Sequence, residues 1–247
     1  MQRYKIYIEY DGTGYVGWQR QHGKIAVCTE IEEAIYKFSG ERVELYGSGR
    51  TDAGVHAIKQ VAHFDFENTE IAAEKVIFAI NFYLKYSNIC ILGASKVDQH
   101  FHARFSAIER SYVYKILNRV APPKIAFNRA WHLRDKLDLI KMQEAANYLV
   151  GTHDFTGLRA KECQASSPVR AIKEIRILKQ SDEEIHIFVT APSFLHHMVR
   201  NIVGTLRLIG NGRMTYDEFI FNFKQRKRAL MGETAPAYGL YLLDVKY

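Results

Sequence analysis

The feature of this chain that most restricts its fold is a repeated switch of apolar period. Tyr4, Ile6, Ile8 and Tyr10 alternate with Arg3, Lys5, Tyr7 and Glu9, the pattern of a half-buried strand. From Val27 the spacing becomes helical, with Val27, Ile31, Ala34, Ile35 and Phe38 on one face. Strand-like runs follow at residues 43–46 and 60–66. A helical run over 73–86 then places Val76, Ile77, Ile80 and Leu84 on one side, and another strand covers 89–97. The resulting order, β-α-β-loop-β-α-β, is that of a split βαβ unit on an antiparallel sheet.

The second half has a similar order. A strand is expected over 109–116, and Leu139, Met142, Ala146 and Leu149 mark a helix that ends near Gly151. Strands are expected over 169–179 and 185–190, joined by polar residues 180–184. Leu195, Met198, Val199, Ile202, Val203, Leu206 and Ile209 form one stripe of a long helix, and a closing strand covers 240–245. The expected fold class is therefore α+β: two ferredoxin-like halves, residues 1–105 and 106–247, related by a pseudo-two-fold, with antiparallel sheets meeting at a central cleft. This symmetry rests on element order alone, because no residue-level repeat is visible.

With 47% hydrophobic and 25% charged residues, the composition is that of a globular protein. No apolar run reaches the length of a membrane span, and Met1-Gln2-Arg3-Tyr4-Lys5 enters a strand without a signal core. A cytoplasmic protein without membrane contact is expected. Cys28, Cys90 and Cys163 are too scattered for a zinc pair or a disulfide framework, and His100-x-His102 has no third ligand nearby, so no metal is expected. The net charge of +7 favours a polyanionic partner.

Asp11-Gly12-Thr13-Gly14-Tyr15-Val16-Gly17 matches G-x-G-x-x-G directly after a strand. A dinucleotide site also needs the third glycine to open a helix. Here Trp18-Gln19-Arg20-Gln21-His22-Gly23 follows, without apolar periodicity. A loop with Tyr15, Trp18 and Arg20 suits nucleic acid better than a nicotinamide cofactor.

Between two strand runs lies Gly47-Ser48-Gly49-Arg50-Thr51-Asp52-Ala53-Gly54-Val55-His56-Ala57. Its glycines permit a tight turn that presents Asp52, with Arg50 two residues earlier. A carboxylate beside a cation stays ionised, which suits a nucleophile or general base. A plain turn in which Asp52 bonds its own backbone is the other reading of such a stretch. Farther on, Arg200 and Arg207 lie together off the apolar stripe of the long helix. Residues 224–228 form a cationic run, Lys224-Gln225-Arg226-Lys227-Arg228, open to phosphate contact or to plain solvation.

Several stretches, in order, resemble the TruA family of tRNA pseudouridine synthases. They are Tyr10 through Gln19; Gly49 through Ala57 with Gln60-Val61-Ala62-His63-Phe64; His102-Ala103-Arg104-Phe105-Ser106-Ala107; Arg110-x-Tyr112-x-Tyr114; His153-Asp154-Phe155-Thr156; His196 through Gly204; and Ala235 through Leu242. The resemblance implies isomerisation of uridine in tRNA. The N-glycosidic bond breaks, uracil rotates while held, and C5 rejoins C1′, with no cofactor and no metal. It implies that Asp52 attacks or deprotonates the ribose and that Tyr112 stacks on the target base. Arg200 would pair with Asp52, Arg50 would hold the flipped-out nucleotide, and Leu240 would pack beside the uracil. Wider RNA contacts are expected from Trp18, Arg20, His56, Arg104, Arg207, Lys224, Arg226 and Arg228. The substrate implied is the anticodon stem-loop, at positions 38 to 40, bound by a homodimer. Lys59 and Ser166-Ser167 depart from the usual family pattern, and both lie outside the chemistry. A non-catalytic tRNA-binding or tRNA-folding protein on the same scaffold is the alternative reading.

Overall fold

The computed structural model describes residues 1–247. The chain divides into two compact units, Met1–Ile108 with Tyr241–Tyr247, and Glu109–Leu240.

In the first unit β1 (Gln2–Tyr10) lies between β3 (His56–Phe66) and β4 (Ile89–Val97), antiparallel to both. Tyr4, Ile6 and Ile8 are fully buried and Tyr10 nearly so, as the alternation requires. The helix α1 (Val27–Ser39) buries Val27, Ile31, Ala34 and Ile35 and stops at Gly40, whose φ of 74° is the left-handed conformation that ends a helix. The helix α2 (Ala73–Leu84) buries Val76, Ile80 and Leu84 and packs on α1 and β4. Each buried valine, leucine or isoleucine among these stabilises the unit by about 1.5–3 kcal/mol.

The strand expected over 43–46 shrinks to β2 (Tyr46–Gly47), paired with β3. The amide of Leu45 instead donates to the Glu32 carboxylate of α1 at 3.0 Å, so this stretch is fixed by a helix and not by a ladder. The last strand, β11 (Leu240–Lys246), pairs in parallel with β3 at His56 and Ala57. Tyr241–Tyr247 group with the first unit, whereas the element order had placed this strand in the second half. Lys59 of β3 pairs with Asp244 of β11 at 3.0 Å.

The second unit is built on the antiparallel order β5 (Glu109–Asn118), β10 (Glu184–Ala191), β9 (Glu174–Lys179), with β6 (Trp131–Leu133) parallel to β5. The strand expected over 169–179 is broken at Lys173. Its first part, β8 (Val169–Ile172), pairs with β7 (Gly151–Asp154) as a separate ribbon. The break falls where the Lys173 amide bonds Thr190 and its ammonium reaches Glu109 at 2.6 Å. The helix α3 (Leu139–Tyr148) is capped by Asp138 and packs on β9 and on α4 (Met198–Gly210). The stripe expected on α4 is buried throughout. A further helix, α5 (Tyr216–Lys224), starts at a Thr215–Glu218 capping box and buries Phe219 and Phe223. No helix is long and apolar enough to cross a membrane.

Candidate active site

The loop carrying Asp52 leaves β2 after Gly47 and re-enters the sheet at His56. Its tip is a turn in which the Val55 amide donates to the Asp52 carbonyl at 3.1 Å, with Gly54 at φ 76°. Arg50 is exposed and Asp52 half-buried. A second loop, residues 11–18, is laid against it. Gly17 and Asp52 form an isolated antiparallel bridge, and the Trp18 amide donates to the Thr51 carbonyl at 3.1 Å. The Thr51 hydroxyl hydrogen-bonds Tyr10 Oη at 2.7 Å. Two glycines of that second loop leave no room for a side chain: a Cβ on Gly12 would strike the Val55 carbonyl, and one on Gly17 the Thr51 carbonyl.

Two residues expected to touch RNA are instead part of this internal frame. Trp18 is 3% exposed, beneath Gly47 and tilted against Tyr10 with ring centres 6.3 Å apart. An indole carries too much apolar surface to stay in water when a glycine opposite leaves room for it. His56 is 2% exposed and stacks on Tyr241 with ring centres 4.6 Å apart. Its Nδ1 lies 3.1 Å from the Gly12 amide and 2.9 Å from an Asp11 carboxylate oxygen. Arg20 and Arg104 do face solvent, Arg20 paired with Glu32 at 2.7 Å and Arg104 lying over the Phe105 ring.

In the second unit Tyr112 stands half-buried on β5, its ring edge-on to Phe194 at 5.1 Å. Arg200 is half-buried on the first turns of α4. Its Nε donates to the Ala235 carbonyl at 2.7 Å, and the Ala235 amide returns a bond to the Arg200 carbonyl at 3.2 Å. Leu240 follows Gly239, where a Cβ would lie 2.6 Å from Cζ of Tyr114. Tyr114 is buried and donates to the Pro236 carbonyl at 2.9 Å, and its burial pushes the phenol pKa well up. The approach to Leu240 is thus fixed by a neutral tyrosine that the sequence offered only as a motif residue.

The expected RNA-facing arginines divide by environment. Arg207 is committed internally, to Glu233 at 2.7 Å and Asp135 at 3.5 Å, with 17% of its side chain exposed. Arg228 is also internal: it donates to the Gly232 carbonyl, Asn201 Oδ1 and Thr234 Oγ1 at 2.6, 2.9 and 3.1 Å. Neither is therefore offered as a phosphate contact: the Arg228 guanidinium satisfies buried and half-buried acceptors, and that of Arg207, itself 17% exposed, is held between two surface carboxylates. Lys224 and Arg226 remain exposed, Arg226 with a 3.3 Å contact to Asp154 that leaves 65% of its side chain accessible.

A family model described as tRNA pseudouridine synthase matches residues 6–106 and 145–247. The chain belongs to the tRNA pseudouridine synthase family. It is 48% identical over 247 residues to tRNA pseudouridine synthase A of Rhodospirillum rubrum, covering all of this chain and 88% of that protein. It is 47% identical to the protein of the same name from Rhodospirillum centenum, covering the whole of both. Among solved structures, one described as an H/ACA RNP bound to a substrate RNA containing 2′-deoxyuridine aligns with a TM-score of 0.36 and 10% identity. That alignment covers 96% of this chain and 59% of the other. As a tRNA pseudouridine synthase, the protein is an isomerase that converts uridine in tRNA to pseudouridine.

Proposed function

We propose that Asp52 is the carboxylate that acts on the ribose of the target uridine. The observation that carries this reading is the fastening of its loop to the neighbouring one, by the Gly17–Asp52 bridge with its Trp18–Thr51 hydrogen bond and by the Thr51 hydroxyl's bond to Tyr10. A reacting group held this way keeps its aim without an entropic cost at the moment of reaction. In this reading Tyr112 stacks on the base, Arg50 holds the extruded nucleotide and Leu240 packs beside the uracil. Arg200 supplies the positive charge that keeps a carboxylate ionised during the reaction. Extruding a paired base costs a few kcal/mol, which aromatic stacking and cationic contacts offset.

Arg20, Arg104, Lys224 and Arg226, all solvent-facing, are the phosphate contacts. The anticodon stem-loop at positions 38 to 40, the homodimer and the cytoplasmic setting complete the reading, supported by the family resemblance and the net charge of +7. The test is Asp52→Asn in a tritium-release assay on uridine-labelled tRNA. Product formation is expected to vanish while tRNA affinity and melting temperature stay near wild type. Turnover close to wild type would remove Asp52 from the chemistry. Mapping pseudouridine in total tRNA with and without the gene tests the positions.

A further inference from the structure

We infer that Gln60 is a positioning residue for the reaction, fixing the base from which the Asp52 loop springs. The inference rests on the reading of Asp52 as the reacting carboxylate. Gln60 lies on β3, four residues after the loop returns to the sheet, and is fully buried. Its amide reaches back across to the outgoing side of the loop. Oε1 accepts from the Ser48 hydroxyl at 2.6 Å and lies 3.2 Å from the Val61 amide, and Nε2 donates to the Gly49 carbonyl at 3.0 Å.

The place of those bonds matters more than their number. The ladder between β2 and β3 ends at Gly47 opposite Ala62, with one further bond from the Ser48 amide to the Val61 carbonyl at 2.7 Å. Gly49 is the first residue beyond that bond, and a Cβ there would meet nothing within 4 Å. The Cβ direction at Gly49 is open, and its carbonyl is held by the Gln60 amide. Asp52 is three residues farther on, a reach of up to about 10 Å. With Gly49 released, only the Gly17 bridge and the Thr51 bonds would hold the loop, and a residual shift of about an ångström at the carboxylate costs on the order of 100-fold in rate.

A side chain that acts only on fold stability and one that aims the loop make different predictions for Gln60→Met, which keeps length and removes both polar atoms. Aiming predicts a fall in kcat of roughly 10- to 100-fold with KM and tRNA dissociation constant within about threefold. A folded variant with kcat within twofold of wild type overturns the inference, and so does a loss that appears wholly in KM.

Gln60→Glu is the second variant and decides the matter should Gln60→Met not fold. A protonated carboxyl in that position donates to Gly49 and accepts from Ser48 as the amide does, whereas the ionised form repels the Gly49 carbonyl. Burial raises a carboxyl pKa into the assayable range. The kcat of this variant relative to wild type is expected to climb as pH falls from 8 to 5, with the folded fraction monitored at each pH. A flat ratio over that range overturns the inference. Asp52→Asn is assayed in parallel. If that variant is active the parent reading fails, whereas an inactive Asp52→Asn beside a normal Gln60→Met removes the inference about Gln60 alone.

Discussion

Arg228 and Arg226 are two positions apart in one cationic run, and the structure gives them opposite tasks. Replacing Arg228 with Ala removes three donors at once, those to Gly232, Asn201 and Thr234. Asn201 and Thr234 still bond each other at 2.7 Å, and Asn201 still donates to the Leu158 carbonyl at 3.0 Å, so the principal orphan is the Gly232 carbonyl. Gly232 and Glu233 press on α4 at Gly204, where no side chain would fit, so the lost bond loosens a backbone crossing and not a surface loop. A charge-assisted bond contributes about 1.5–3 kcal/mol, and an orphaned acceptor costs about 1–3 kcal/mol. Recovery of the hydration that burial takes from this guanidinium offsets part of that loss. A net loss of about 2–3 kcal/mol lowers the melting temperature by roughly 5–10 °C in a chain of this size. Arg226→Ala breaks only an exposed pair with Asp154, worth about 1 kcal/mol or less. Its expected effect is on tRNA binding, as a reduction of about one in the slope of log affinity against log salt. Thermal melting and binding titrations between 50 and 200 mM salt measure both variants. The reasoning is refuted if Arg228→Ala melts within a degree of wild type while it, and not Arg226→Ala, loses the unit of salt slope.

Three further outcomes follow from named contacts. His63 is buried, with its pKa lowered to about 4 by desolvation first, then by Arg3 and His102. The unfolded chain takes up that proton near 6.5, so the contribution of neutral His63 is whole above pH 6.5, declines as pH falls towards about 4, and is constant below. The stability gap between wild type and His63→Gln should narrow over that window, and parallel acid-denaturation curves would contradict it. Gly47→Ala sets a Cβ 2.5 Å from the Trp18 ring and should cost about 1–3 kcal/mol, with a red shift of tryptophan emission; an unchanged spectrum and melt would exclude this packing. Gly239→Ala presses on Tyr114 and should lower turnover by displacing Leu240, so wild-type kinetics in that variant would count against a role for this approach.

Legibility in the sequence followed the range of the interaction. The β1 alternation and the stripes of α1 and α4 are set by burial along one element, and each is buried as read except Phe38 of α1, which is half-buried. The α5 helix carried a local signal too, since Thr215 and Glu218 form a capping box ahead of Phe219 and Phe223, a spacing that marks a helix start. The strand assigned to 43–46 was lost to Glu32, thirteen residues away from Leu45, and no local pattern announces such a bond. The pairing of β11 with β3 joins residues nearly two hundred positions apart, which element order cannot foresee. In the candidate site, the turn carrying Arg50 and Asp52 could be read from the sequence because glycines mark it locally. Gln60 could not, because residues 60–64 are all buried and no alternation distinguishes a buried amide from its apolar neighbours. Trp18, His56, Arg207 and Arg228 were misread for one reason. A basic or aromatic residue in a basic chain looks available to RNA until tertiary partners are known.

The glycines of the 11–18 loop gain a different meaning from the same geometry. Read alone, Gly12-x-Gly14-x-x-Gly17 after a strand is a phosphate-cradling motif. In the structure Gly12 lies against the Val55 carbonyl and Gly17 against the Thr51 carbonyl, the two ends of the turn that presents Asp52. No helix opens at Gly17; α1 begins ten residues later, at Val27. Close backbone approach is needed in both cases, but what approaches here is the protein's own chain. The two glycine-rich stretches are therefore one device: the first is shaped by the absence of side chains so that the second can rest on it. A substitution at Gly12 or Gly17 should accordingly reach activity through Asp52 and leave nucleotide binding untouched. Gly17→Ala is the sharper case, since φ of 106° adds backbone strain to the collision. Its expected signature is a loss of kcat larger than any loss of tRNA affinity, and the reverse pattern would assign this loop to RNA contact after all.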